Sequence, residues 1–408
     1  MRRKYIILLF IIFLSSCEKN NENDMLLKFY GDAYENIGYS LAKSDDGYFI
    51  SGQVTDITRT DNYIEGSVKR MGIIKTGSDG NVIWEKSLGE RQPAVGLKVL
   101  ALDDGSAICA GYVIDTVTLE KDIFVARVGE DGTVLAQNIY KSEGNQYSND
   151  IVKTQEGFLI LGTTDVKNTL VTDASGNLTG KKDILLVRIN NDLEEISQPV
   201  QKGFPGNDEG VVIKADLNGG YIIAGTTDRI ENKSLQAGNN ILILKVNADG
   251  SVTEPRILNG IADEYAVDIE VLNDWYLIAG TIGSDESAQK GYVWGISNNI
   301  YADPLFSHEI DLEPSTSIKS SFAIKAIDRY KTNSFVMAGQ IIKGSSAQML
   351  IFITDAEGTL VEGKIKVLGG TGTQVAYDVT SDEEDNIMVT GKNSYENNSM
   401  ISLLKFRF

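Results

Sequence analysis

Several short segments of this 408-residue chain set an aromatic ring, a carboxylate or an amide just ahead of an apolar run: Tyr34-Glu35-Asn36, Gln146-Tyr147, Asp208-Glu209 and Glu264-Tyr265, with Tyr377 in a comparable position. A tyrosine offers a flat face to a sugar ring, and carboxylates and amides exchange hydrogen bonds with its hydroxyls. Such a set suits glycan binding. Glu209 and Glu264 also raise glycoside hydrolysis or polysaccharide cleavage, the former needing a carboxyl pair separated by ~5 to 9.5 Å. The plainer account makes the tyrosines wedges between repeated units and the acids caps for loop amides. Other chemistry has less support. His308 is the sole histidine and no Gly-x-Ser-x-Gly elbow accompanies it, which argues against a Ser-His-acid hydrolase. One histidine cannot build a His-based metal site; a carboxylate site stays open, and no cofactor is expected.

These segments must be positioned by something that repeats. The phrase Gly219-Gly220-Tyr221-Ile222-Ile223-Ala224-Gly225 returns as Gly47 to Gly52, Gly105 to Gly111, Gly157 to Gly162, Trp275 to Gly280, Phe335 to Gly339 and Ile387 to Gly391. Its closing glycines, at 52, 111, 162, 225, 280, 339 and 391, are spaced by 59, 51, 63, 55, 59 and 52 residues. Seven copies of such a unit leave no room for a second domain.

One unit shows what the repeat builds. Val211 to Asp216 is rich in β-branched residues, Asn218-Gly219-Gly220 turns the chain, and Tyr221 to Thr226 is apolar on both faces, as in a strand covered on both sides. A polar loop leads to Ile241 to Val246, Asn247-Ala248-Asp249-Gly250 is a hairpin turn, and Val252 to Leu258 forms an outer strand. Four antiparallel strands per unit make a propeller blade, so the pattern predicts an all-β, seven-bladed β-propeller. The turns Ser78-Asp79-Gly80, Glu130-Asp131-Gly132, Asn190-Asn191-Asp192 and Ala356-Glu357-Gly358 read as hairpins. Each has too few carboxylates for calcium, which takes six to eight oxygens.

The ends fit the same count. The seventh unit supplies only Tyr377 to Ser381, Ile387 to Lys392 and Met400 to Phe406, whereas Met25 to Tyr30 sits where a fourth strand would precede the first unit. The N-terminal strand is therefore expected to complete the last blade, with 25–408 a single domain. In a propeller of this order, one face collects the long segments Thr55 to Lys69, Val113 to Lys121, Thr163 to Lys182, Thr226 to Asn239 and Thr281 to Lys290.

Ahead of the propeller, Arg2, Arg3 and Lys4 precede the apolar run Ile6 to Phe13, too short to span a bilayer, and Leu14-Ser15-Ser16-Cys17 resembles the lipobox of bacterial lipoproteins. That resemblance implies removal of residues 1–16, lipidation of Cys17 and a flexible acidic tether over 17–24. Glu18 after the cysteine implies the outer membrane, and in Bacteroidetes-type lipoproteins an acidic stretch there goes with display on the outer face. Losing residues 1–16 removes three bases and no acid, taking the net charge from −19 to −22. That sign excludes nucleic acid as a partner. Cys109, then the only other cysteine, is expected in the core.

The repeat as a whole, residues 25–408, resembles a loosely defined group of bacterial secreted propeller-repeat proteins, mostly without assigned activity. It departs from WD40 blades in length, from sialidase-type Asp boxes and from quinoprotein repeats, because only Trp84 stands where each unit would need a tryptophan. The expected role is an envelope-tethered, monomeric binding protein presenting a loop-rich face to a glycan or a protein. A glycosidase or lyase and a scaffold of an envelope complex are the alternatives.

Overall fold

The computed structural model describes residues 25–408 except 33, 61–62, 90–91, 166–181, 205, 230–237, 259, 261, 286–287, 313–320, 345 and 397. Cys17, the signal segment and the tether lie outside them. Among the described residues, regular structure is all strand, in seven four-stranded antiparallel sheets. Their inner strands, which number the blades, are Ile37–Ser44, Ala94–Ala101, Gln146–Lys153, Asp208–Ala215, Glu264–Val271, Phe322–Lys331 and Thr373–Ser381. Each of the first six blades is continuous in sequence. The seventh is completed by Leu26–Tyr30, paired antiparallel to Asn398–Phe406 from Leu26 opposite Lys405 to Tyr30 opposite Ile401.

The core lies between blades. One apolar layer joins Val212, Ile222 and Ile243 of blade 4 to Ile269, Tyr276 and Trp294 of blade 5, and a layer of the same kind fills each junction round the ring. The second strand of a blade thus meets a neighbour on both faces, which is why it reads as continuously apolar. Cys109 belongs to the layer between blades 1 and 2 and is fully buried.

Every inner strand carries one bulge at the same place. The extra residues are Tyr39, Leu97, Asn149, Val211, Val267, Lys325 and Tyr377. The bulge explains the closing glycines. A Cβ on Gly52, Gly111, Gly339 or Gly391 would lie 1.8, 1.9, 2.0 or 1.9 Å from the carbonyl oxygen of Ile37, Val95, Ala323 or Val375 across the pair, and one on Gly162 or Gly280 would lie 2.7 Å from that of Tyr147 or Tyr265. The glycine is needed because another backbone comes close. Gly111→Ala should cost roughly 3 kcal/mol and Gly162→Ala roughly 1 kcal/mol by urea denaturation. Equal costs would refute the steric account.

The inner strand is also an edge, and the N–H of the second residue after each bulge finds no neighbouring strand. Asp150 accepts from Ile151 N through Oδ1 and Ile213 N through Oδ2, both at 2.9 Å. Asp268 does the same for Ile269 N (2.8 Å) and Ile327 N (3.2 Å), and Asp378 for Val379 N and Leu41 N (2.9 Å each). Val99 N, the remaining one, donates to Ser40 Oγ at 3.3 Å. Each aspartate serves its own blade and the next. The other junctions are tied by Lys98 near Asp150 (4.0 Å), by Lys214 near Asp268 and Glu270 (3.7 and 3.4 Å), and by Ser381 N donating to Asp328 (2.6 Å). Burial pushes Glu270 up to about 7 against the pull of Lys214. Burial alone would lower Lys98, but Asp150 and Asp378 outweigh it and raise the ammonium.

Candidate functional site: the mouth of the channel

Consecutive residues at the start of an inner strand point to opposite sides, and the two sides do different work. Asn36, Gln146, Asp208, Glu264 and Gln374 occupy equivalent positions and are all buried. Asn36 donates to Ser399 O (3.1 Å) and Asp32 O (3.2 Å) and accepts from Thr55 N (3.0 Å). Gln374 accepts from Gly370 N (3.2 Å) and donates to Thr371 O (3.1 Å), while Asp208 accepts from Phe204 N. Asn36, Asp208 and Gln374 thus hold the passages between blades, and all five side chains are turned away from solvent. For Asn36 and Glu264 this corrects the sequence expectation of ligand-facing groups.

Glu264 is the extreme case. It is 1% exposed, its carboxyl lies against Gly260, and among the described residues neither carboxyl oxygen has a hydrogen-bond partner. Burial pushes its pKa from the ordinary 4.5 to about 7; Trp294 Nε1 tempers this without meeting hydrogen-bond geometry. A raised carboxyl pKa means that the folded state keeps its proton longer than the unfolded chain. The associated stability is full below about pH 4.5 and is lost as pH rises through about 7, a loss of about 3 kcal/mol. Glu264→Gln should therefore match the parent in Tm at pH 4.5 and exceed it at pH 8; equal melting at both would remove the cost assigned to this carboxyl. Glu209 stands one position further along its own strand, so it and Glu264 do not face a common cleft.

In blades 3 and 4 the next position along, Tyr147 and Glu209, faces the mouth, whereas in blades 1 and 7 it is the buried Ile37 and Val375. Tyr147 donates through its hydroxyl to Glu209 and receives a hydrogen bond from Lys182 Nζ at 3.2 Å, with Lys182 also 4.0 Å from Glu209. The Tyr147 ring meets Tyr112 edge-on, centroids 6.4 Å apart. Lys121 Nζ stands 4.4 Å from the Tyr112 centroid and 5.2 Å from that of Tyr147. Lys121, Asn145, Tyr147, Thr163, Asp165 and Lys182 line a cavity of about 280 Å³.

A second cluster lies where blades 7 and 1 meet. Tyr377 packs edge-on against Tyr39 at 5.1 Å. Glu35 bonds Lys69 (2.6 Å), Lys392 (3.2 Å) and Gln53 (3.2 Å), and these donors, Lys69 foremost, hold its pKa down at about 2. The Tyr39 hydroxyl is raised by burial and then by the proximity of Tyr377, Tyr112 and Glu35, which joins the two clusters into one arc. Tyr34 has φ of 80° and serves a turn, its N–H donating to Asn398 Oδ1 at 2.9 Å. Tyr265 is tied to Asn239 (2.9 Å).

Sequence reasoning missed Tyr39, Tyr112, Gln53 and the four lysines. The available signal was position: Gln53, Tyr112, Thr163 and Lys392 each directly follow a closing glycine. The expected loop over Thr55 to Lys69 is instead an extended hairpin, paired from Thr55 opposite Lys69 to Thr60 opposite Tyr63. Of Val113 to Lys121, the ends belong to the flanking strands and only residues 115–120 form a short turn, in which Asp115 accepts from Val117 N and Thr118 N. Most of Thr163 to Lys182 and Thr226 to Asn239, and part of Thr281 to Lys290, fall outside the described residues.

No protein-family model matches the chain, and no curated protein matches it. Among solved structures it is similar to Kuenenia stuttgartiensis hydrazine synthase (TM-score 0.50, 10% identity, 89% of this chain and 94% of that one). It is also similar to the β-propeller domain of the Trilobed protease from Pyrococcus furiosus (TM-score 0.47, 11% identity, 91% and 93%). Pyrococcus horikoshii acylaminoacyl peptidase matches with a TM-score of 0.49 and 11% identity over 91% of this chain, which spans about half (51%) of that chain. At these identities the likeness is one of fold. The chain is a seven-bladed β-propeller of four-stranded blades, closed by its N-terminal strand.

Proposed function

We propose that this chain is an exported, non-catalytic binding protein, tethered to the outer membrane through Cys17, whose channel mouth holds a glycan. The observation that carries the reading is the set of four half-buried tyrosines, Tyr39 with Tyr377 and Tyr112 with Tyr147, arranged as two edge-on pairs about the mouth. Edge-on packing fixes each ring while leaving part of it open, so little side-chain entropy is lost when a sugar stacks. Gln53, Glu35, Asn145 and Glu209 supply the polar groups beside them.

The test is a glycan array followed by titration calorimetry on the best hit. Tyr112→Ala and Tyr377→Ala should each weaken binding at least tenfold while the fold stays intact by circular dichroism. Absence of any glycan ligand, with protein partners recovered instead by cross-linking at the mouth, would overturn the reading in favour of protein recognition.

A further inference from the structure

We infer that the ligand of the mouth is an acidic saccharide, whose carboxylate seats between Lys121 and Lys182. This rests on the glycan reading above and adds the charge of the sugar. The chain carries a net charge of −19, yet four lysines, Lys69, Lys121, Lys182 and Lys392, gather about the tyrosine arc. Three of them have a carboxylate within 4.0 Å: Lys69 and Lys392 share Glu35, and Lys182 reaches Glu209. Lys121 has none among the described residues. Its ammonium instead lies beside the Tyr112 and Tyr147 rings, where burial and then the charge of Lys182 push its pKa down.

A partly desolvated ammonium beside a second one is a place where a bound anion relieves a standing cost. The acids nearby do not meet that need. Both oxygens of Asp165 are taken up by Asn145, through its N–H (2.6 Å) and its side-chain amide (2.7 Å), and Glu209 is engaged by Tyr147 and Lys182. The 280 Å³ cavity holds both lysines and Tyr147, so the cationic end and an aromatic wall are contiguous. A free inorganic anion would use the lysines and leave the tyrosines idle. A neutral sugar would use the tyrosines and leave Lys121 with only the partial pull of Glu209, which does not offset burial and Lys182. A sugar ring bearing a carboxylate uses both.

The experiment is titration calorimetry of the intact mature chain at pH 7 and low salt with uronic-acid oligosaccharides, with the same oligosaccharides after carboxyl reduction, and with sulfated neutral oligosaccharides. The acidic oligosaccharide should bind at least tenfold tighter than its reduced form, and added salt should shrink that advantage. Lys121→Gln and Lys182→Gln should each remove most of that tenfold difference between acidic and reduced forms, and Lys121→Arg should retain it. Equal affinity for acidic and reduced forms would overturn the inference and leave the glycan reading standing. Preference for the sulfated oligosaccharide would overturn the carboxylate assignment, and no binding by any of the three would sink both readings.

Discussion

Deleting residues 25–30 is expected to lower the Tm by on the order of 10 °C, from the loss of roughly 5 kcal/mol in ladder hydrogen bonds and apolar burial. Leu26–Tyr30 forms five residue pairs with the C-terminal strand of blade 7, and Tyr30, 6% exposed, packs in the layer between blades 7 and 1. Its hydroxyl donates to Gly80 O (2.8 Å) in blade 1, so the strand touches both sides of the closing junction. Without it, blade 7 keeps three strands and exposes an unpaired edge along Asn398–Phe406, which should also promote self-association. Differential scanning calorimetry with light scattering measures both effects. A melting temperature within 2 °C of the parent's would show that the ring does not depend on this closure. Tyr30→Phe separates the hydroxyl from the strand and should cost only about 1 kcal/mol.

The fold was legible because three independent signals repeat with one period: the apolar second strand, the Asp-Gly turn and the closing glycine. The glycine is the most informative, since it records the approach of a carbonyl from the bulged strand opposite. The bulge itself was not legible. Tyr39, Leu97, Asn149, Val211, Val267, Lys325 and Tyr377 share a position but no chemical type, because an extra residue in a strand is a property of the backbone.

The site was half legible for a related reason. Tyr147, Glu209, Glu35 and Tyr377 do stand at the mouth, whereas Asn36 and Glu264, their immediate neighbours in type and place, turn inward. Residues adjacent on a strand face opposite ways, so a segment such as Glu264-Tyr265 contains one buried and one outward residue, and composition alone does not say which. Lys121 opens a third strand and Lys182 directly precedes one, and only the fold brings them to Tyr147 on the next or the same blade's inner strand.

Asp150→Ala should destabilise the protein by about 4 kcal/mol, far more than removal of an aspartate from an exposed turn. The substitution strands Ile151 N and Ile213 N, two buried donors on adjacent blades, and takes from Lys98 its nearest carboxylate. Burial raises the Asp150 carboxyl while Lys98 and the two amides oppose that shift, so the side chain is held by groups that gain nothing from a methyl in its place. Asp131→Ala is the matched control. Asp131 accepts from Thr133 N and Thr133 Oγ1 (2.8 Å each) in a solvent-exposed hairpin, where water replaces the lost acceptor, and its removal should barely move the urea midpoint. The two aspartates differ in what else is available to the donors they serve. Asp150 also bears on the proposed ligand site, since Ile151 and Ile213 lie on the strands that carry Tyr147 and Glu209, and the clasp fixes the spacing of that pair. Asp150→Asn, which keeps one acceptor oxygen, should fall between the two in urea denaturation. If Asp150→Ala costs no more than Asp131→Ala, the aspartate clasps do not hold the inner ring together, and the mouth must owe its shape to the apolar layers alone.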